Sequence, residues 1–166
     1  MPKKDGIVVS QLAQQLTAQG LSLATAESCT GGGLAYALTS MAGSSTWFMG
    51  GVVSYSNAAK HHLLHVDTQL LHTHGAVSEP VVLAMAKGAQ QQFNTDCAIA
   101  TSGIAGPGGG SIDKPVGSVW LAWLIADQCF AELFLLPGDR AAVREQSISI
   151  CCQRLLDCLT RKTPNR

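Results

Sequence analysis

Leu21-Ser22-Leu23-Ala24-Thr25-Ala26-Glu27-Ser28-Cys29-Thr30-Gly31-Gly32-Gly33-Leu34 is the stretch whose reading decides the fold. Leu21 to Thr25 has the apolar content of a short strand, the glycines that follow permit a tight turn, and a helical stretch runs from about Leu34 to Met41. Strand, turn and helix in that order make the repeating unit of an α/β sheet. Upstream, Val8, Val9, Leu12, Ala13 and Leu16 recur at helical spacing, which predicts a helix over Ile7 to Ala18 with Gly20 as its C-terminal stop.

Downstream, Gly51 to Tyr55 reads as a second strand, and Ser56 or Asn57 caps a helix that carries Lys60 in its first turn. Ser78 before Glu79-Pro80 opens another helix, with Val81, Val82, Met85, Ala86 and Ala89 on its buried face. Asp96 to Thr101 is a third strand, and Ser102 to Pro115 is a long glycine-rich loop. Gly117 to Ala126 and Cys129 to Leu135 form an antiparallel hairpin, and Pro137-Gly138-Asp139-Arg140 leads into a last apolar helix. The expected fold is α/β: one mixed, three-layer-like β-sheet covered by helices, in a single domain over residues 1–166.

Composition narrows the partners. The 11 basic and 11 acidic residues cancel, so no positive field draws the chain to nucleic acid or to an anionic membrane. No apolar run reaches the roughly 18 to 20 residues that span a bilayer, and Met1-Pro2-Lys3-Lys4-Asp5 does not open a signal peptide, so the expected location is the cytoplasm. With 46% hydrophobic and only 13% charged residues, some surface is expected to lie under a second subunit: a homo-oligomer, most simply a dimer. The six cysteines lack paired C-x-x-C spacing and sit mostly in apolar stretches, as packing residues do.

Ser28, at the end of a strand and before a glycine-rich helix start, has the position of an exposed nucleophile beside backbone N–H groups that receive an oxyanion. A plain helix cap fits the same residue. Cys29 is the chemically stronger nucleophile at neutral pH, but a cysteine in such a turn is more often inert. His61, His62, His65, His72 and His74 bunch on one helical stretch and read as surface residues, because no acidic ligands accompany them; no metal site is expected. Lys60 is a different base, usable once desolvation lowers its pKa, and Tyr55 could relay a proton or hold the serine hydroxyl. Without further information the two also fit a solvent lysine and a strand-end core residue. The loop from Ser102 suits close backbone approach to a ligand or a lid, Arg140 suits a phosphate or Asp139 a helix cap, and Arg144 reads as a surface charge.

Several motifs in one order resemble the CinA C-terminal domain family: Thr25-Ala26-Glu27-Ser28-Cys29-Thr30-Gly31-Gly32, Ala42-Gly43-Ser44-Ser45, Val53-Ser54-Tyr55-Ser56-Asn57-Ala58-Ala59-Lys60, His74-Gly75-Ala76-Val77-Ser78, Thr101-Ser102-Gly103-Ile104-Ala105-Gly106-Pro107, Lys114-Pro115-Val116-Gly117 and Pro137-Gly138-Asp139-Arg140. The resemblance implies an amidohydrolase that converts nicotinamide mononucleotide to nicotinic acid mononucleotide and ammonia. It implies Ser28 as nucleophile, Lys60 as base and Tyr55 assisting, with no metal and no cofactor. Substrate contacts would fall to Thr30, Gly31, Gly32, Ser44, Ser45, Asn57, Thr101, Ser102, Gly103, Gly106 and Arg140. Longer members carry an N-terminal domain resembling molybdopterin-binding proteins, and only a short helix stands there in this sequence. The rival readings are a non-catalytic nucleotide- or partner-binding module and an amidase for another small carboxamide.

Overall fold

A computed structural model describes residues 3–161. Met1, Pro2 and residues 162–166, which belong to the expected N-terminus and domain span, lie outside the described residues. The elements are α1 (Lys3–Gln19), β1 (Leu23–Glu27), α2 (Gly33–Thr39), a 3-10 turn at Ser44–Thr46, β2 (Phe48–Val53), α3 (Asn57–Leu64), α4 (Thr68–His74), α5 (Glu79–Phe93), β3 (Cys97–Gly103), β4 (Ser118–Ile125), β5 (Gln128–Leu135) and α6 (Arg140–Arg161). One five-stranded mixed sheet runs in the order β2-β1-β3-β4-β5, parallel across β2, β1 and β3 and antiparallel from β3 to β5.

Side chains alternate across each strand, so the sheet has two unlike faces. Leu23, Ile99, Val119, Leu121 and Trp123 face one core with α1, α2 and α6. Ala24, Ala26, Ala98, Ala100 and Ala122 face the other, against α3, α4 and α5. The alanine face lets α5 lie close, and at Gly88 an added Cβ would overlap the Leu64 carbonyl. The result is three layers with the sheet in the middle, as the α/β pattern predicts.

Four boundaries differ from the sequence reading, each for a physical reason. β1 starts two residues late because Leu21 closes α1 through Leu16 O and Ser22 is held by the Asp96 carboxylate, so the ladder begins at Leu23. β2 starts at Phe48 and takes in Gly50 and Gly51, where glycine leaves room for the Phe93 ring and Thr25 Oγ1. The histidine stretch is two helices: His65 adopts φ 55 and ends α3, and the Asp67 side chain caps α4 by accepting from Gln69 N–H. Ser102 and Gly103 belong to β3 rather than to the loop, with Gly103 paired to Val119.

The parallel pairing of β1 with β3 ends at Glu27 opposite Thr101, two residues before β3 itself ends. Their carboxyl ends, together with the end of β2 at Val53, are where an α/β sheet leaves room for a ligand.

Candidate active site

Ser28 is the first residue past β1. Its N–H donates to the Thr101 carbonyl at 3.0 Å, which pins it to the end of β3. The chain then reverses through Gly31 (φ 59) and Gly32 (φ 90), a pair of left-handed conformations that glycine adopts without a Cβ penalty. Ser28 caps no helix. The residue whose side chain serves the start of α2 is Glu27, whose carboxyl oxygens accept from the N–H groups of Gly32, Leu34 and Ala35 at 3.1, 3.0 and 2.8 Å.

Across the site, β2 ends at Val53 and Ser54 turns back toward α3. Ser56 Oγ accepts from Ala59 N–H and caps that helix, which sets Lys60 on the turn facing Ser28. Lys60 Nζ lies 3.0 Å from Ser28 Oγ, 2.8 Å from the Ser54 carbonyl and 3.3 Å from the Tyr55 carbonyl. The lysine is 1% exposed and Ser28 is 8% exposed. Burial pushes the Lys60 ammonium below its ordinary value of 10.5, since desolvation penalises the charged form. A neutral amine has two N–H groups and one lone pair. With the two N–H groups donating to the Ser54 and Tyr55 carbonyls, the lone pair is left for the Ser28 hydroxyl proton.

Cys29 is the competing thiol, and burial raises its pKa to about 11. It is therefore protonated at neutral pH and a poor nucleophile. Of the N–H groups in the turn, those of Ser28, Gly31 and Gly33 bond to backbone carbonyls and that of Gly32 to Glu27. Those of Cys29 and Thr30 bond neither to a backbone carbonyl nor to Glu27, the Cys29 N–H lying against its own thiol, so of the turn over Ser28 to Gly32 these two are the donors not held by an oxygen acceptor.

The other sequence-predicted residues divide by position. Thr30 and Thr101 are fully buried and share a 2.8 Å hydroxyl bond, while Ser102 Oγ donates to the Ala76 carbonyl, so all three brace the floor of the site. The Tyr55 ring is 59% exposed, and its hydroxyl accepts from Arg140 Nη2 at 2.9 Å; it is the Tyr55 carbonyl, not the hydroxyl, that reaches Lys60. Arg140 also donates through Nη1 to the Gly106 carbonyl at 2.8 Å, tying the glycine-rich loop to Tyr55. Gly103 needs its missing Cβ to clear Val119 and the Ser118 carbonyl. Asn57 is exposed at the first position of α3. Ser44 and Ser45 precede β2, a strand length away from Ser28, roughly 15 Å; within one chain they are not brought to it.

Arg144, read from sequence as a surface charge, instead leans over the Ser28 turn and donates through Nη2 to the Thr30 carbonyl at 3.0 Å. With Arg140, Gly138, Ala105, Pro107 and Val116 it lines a cavity of about 660 Å³. Ser28 is not on that cavity's wall, and Arg144 is what joins the two. Helical spacing held the signal: Arg140 and Arg144 are four residues apart and therefore share a face of α6. Glu27 was the other residue passed over, although a carboxylate ending an otherwise apolar strand calls for partners.

The CinA C-terminal domain profile matches residues 7–159. The CinA-like protein of Mycolicibacterium gilvum is 51% identical over 158 residues, covering 95% of this chain, and the chain spans about 37% of that relative's length. The nicotinamide-nucleotide amidohydrolase PncC of Escherichia coli K12 is 48% identical over 152 residues, covering 87% of this chain and 88% of that protein. Among solved structures, a CinA superfamily protein from Klebsiella pneumoniae 700603 superposes with a TM-score of 0.91 at 38% identity, over 95% of this chain and 98% of that one.

Proposed function

The chain belongs to the CinA C-terminal domain family, and on that premise we propose that it is a nicotinamide-nucleotide amidohydrolase working through a serine–lysine pair. The observation that carries the mechanism is the buried Lys60 Nζ at 3.0 Å from Ser28 Oγ. The substrate class rests on the likeness to the Escherichia coli amidohydrolase across most of both chains.

In this reading neutral Lys60 takes the Ser28 hydroxyl proton as Oγ attacks the carboxamide carbon. The carbonyl oxygen becomes an oxyanion received by the Cys29 and Thr30 N–H groups, and one such donor is typically worth about 3 kcal/mol in the transition state. When the C–N bond breaks, the Lys60 ammonium returns its proton to the departing nitrogen, which leaves as ammonia. Water then attacks the Ser28 ester, gives a proton to Lys60, and releases the pyridine carboxylate and the serine. Tyr55 assists through its carbonyl, which orients the amine, and through its hydroxyl, which holds Arg140 at the mouth.

Arg140 and Arg144 supply two cations to one cavity, an arrangement that suits the phosphate of a mononucleotide. Gly31, Gly32, Gly103 and Gly106 give backbone access for the sugar and ring, and Asn57 contributes from the rim. No helix among the described residues is long and apolar enough to cross a membrane, and we place the activity in the cytoplasm. The chain acts as a homodimer in this reading; exposed Tyr36, Met49 and Val53 give it an apolar surface beside α2 and the β2 edge. Light scattering at micromolar concentration tests that, and a monomer mass refutes it.

Ammonia release from nicotinamide mononucleotide, with Ser28→Ala alongside and chelator added to both, tests the activity. Release that survives chelator and vanishes in the variant supports a serine amidase. No release from folded wild-type protein refutes it and favours a binding module. Turnover of nicotinamide or glutamine in preference to the nucleotide would move the reading to another carboxamide.

A further inference from the structure

The buried carboxyl group of Glu27 has no part in the steps above, yet it stands one residue before Ser28 and is 1% exposed. Burying a carboxyl is costly unless its oxygens are well bonded, and here they accept three backbone N–H groups, from Gly32, Leu34 and Ala35. The same residue's main chain works on the other half of the pair. Its carbonyl accepts the Ser54 N–H at 2.8 Å, and the Ser54 carbonyl in turn accepts from Lys60 Nζ at 2.8 Å.

We infer that Glu27 is the positioning residue of the Ser28–Lys60 pair, with its side chain fixing the turn that carries Ser28 and its carbonyl fixing the Ser54 segment that holds Lys60. The inference rests on the reading of Ser28 as nucleophile. A second consequence follows from which donors are consumed. By taking the Gly32, Leu34 and Ala35 N–H groups, Glu27 closes the start of α2 to anions and leaves Cys29 and Thr30 as the donors of the turn that no oxygen holds. An oxyanion is thereby confined to the backbone next to the nucleophile.

Glu27→Gln keeps the size and the strand but turns one acceptor into an NH₂ group that faces N–H donors. At least one of the three bonds is then lost, and the turn shifts relative to Lys60. A displacement of about 1 Å at a reacting atom costs up to about 100-fold in rate. The expected result is a kcat on nicotinamide mononucleotide lower by about 10- to 100-fold. KM should stay within about twofold, because the arginines of the cavity remain in place. Labelling of Ser28 by a fluorophosphonate probe should slow in parallel, in protein shown by circular dichroism and melting to be folded at the assay temperature.

Glu27→Asp keeps the charge and shortens the reach by one methylene; it carries the same test if the glutamine variant does not fold. Either folded variant turning over at the wild-type rate overturns the inference. So does a rise in KM with kcat unchanged, since that assigns Glu27 to ground-state binding. Wild-type protein that releases no ammonia defeats the amidase reading itself, a result distinct from any difference between wild type and variant.

Discussion

Lys60→Met separates a buried base from a buried structural lysine. Methionine is unbranched and apolar, so it fills much of the space of the lysine stem while removing the amine. Two carbonyls, those of Ser54 and Tyr55, then lose their Nζ donor inside the protein, and each unmade bond costs about 1–3 kcal/mol. Against that stands the relief of no longer burying an ionisable amine. The net stability change at one pH is therefore small in magnitude, and its pH dependence is the sharper readout. The folded-state pKa of Lys60 lies below 10.5, so between the two values the unfolded chain binds more protons than the folded one. Wild-type stability thus rises with pH across that window, by up to about 1.4 kcal/mol per unit for one proton, and is lost again as pH falls toward the lowered pKa. Lys60→Met lacks this contribution. Chemical denaturation of both proteins at intervals from about pH 6 to 10 should show the wild type gaining on the variant as pH rises. Turnover should fall by about 10²- to 10⁴-fold in the variant, the usual worth of a general base, while the wild-type rate climbs with an inflection below 10.5. Parallel stability curves, or a variant within tenfold of wild-type turnover, would refute the neutral-lysine argument.

Two further substitutions test the remaining chemistry. Cys29→Ala should leave kcat within about threefold of wild type and cost about 1–2 kcal/mol in denaturation, because the thiol is buried packing with a pKa near 11; loss of turnover comparable to Ser28→Ala would make the cysteine the nucleophile. Arg144→Gln should raise KM for nicotinamide mononucleotide by about 10- to 100-fold, the worth of one charged hydrogen bond, and change the rate on the unphosphorylated riboside much less. Equal losses on both substrates would limit Arg144 to bracing the Thr30 carbonyl.

Much of the layered fold was legible because burial leaves periodic marks. The Val9, Leu12, Ala13, Leu16 stripe of α1 and the Val81, Val82, Met85, Ala86, Ala89 stripe of α5 are both fully realised as core. Some boundaries moved because the deciding partner was distant in sequence, as Asp96 is from Ser22 and Val119 from Gly103. The second strand was read from Gly51, and its earlier start at Phe48 takes in Gly50, where the Phe93 ring occupies the space a side chain would need. In the site, motif resemblance pointed to Ser28 and Lys60, and the structure brings them into contact. Tyr55 was read by its hydroxyl, but the strand ends two residues before it and presents its carbonyl to Lys60 instead. Arg144 was missed because its partner, Thr30, lies 114 residues away, and a helix face alone does not say what it covers.

The proposed role of Lys60 as a base depends on its uncharged surroundings. A lysine stays a base near neutral pH only if burial acts on it with no carboxylate close by to restore its charge. Among the described residues the buried carboxyl is that of Glu27, and its two oxygens are bonded to three backbone N–H groups at the start of α2 rather than to Lys60. The partners that Lys60 does have are one hydroxyl and two carbonyls, neutral groups that orient the amine without an ion pair. In the proposed mechanism the geometry separates two tasks that would conflict in one cluster: a carboxyl that organises the turn, and an amine left uncompensated so that it can accept a proton. An ion pair between them would stabilise both charges and remove the base.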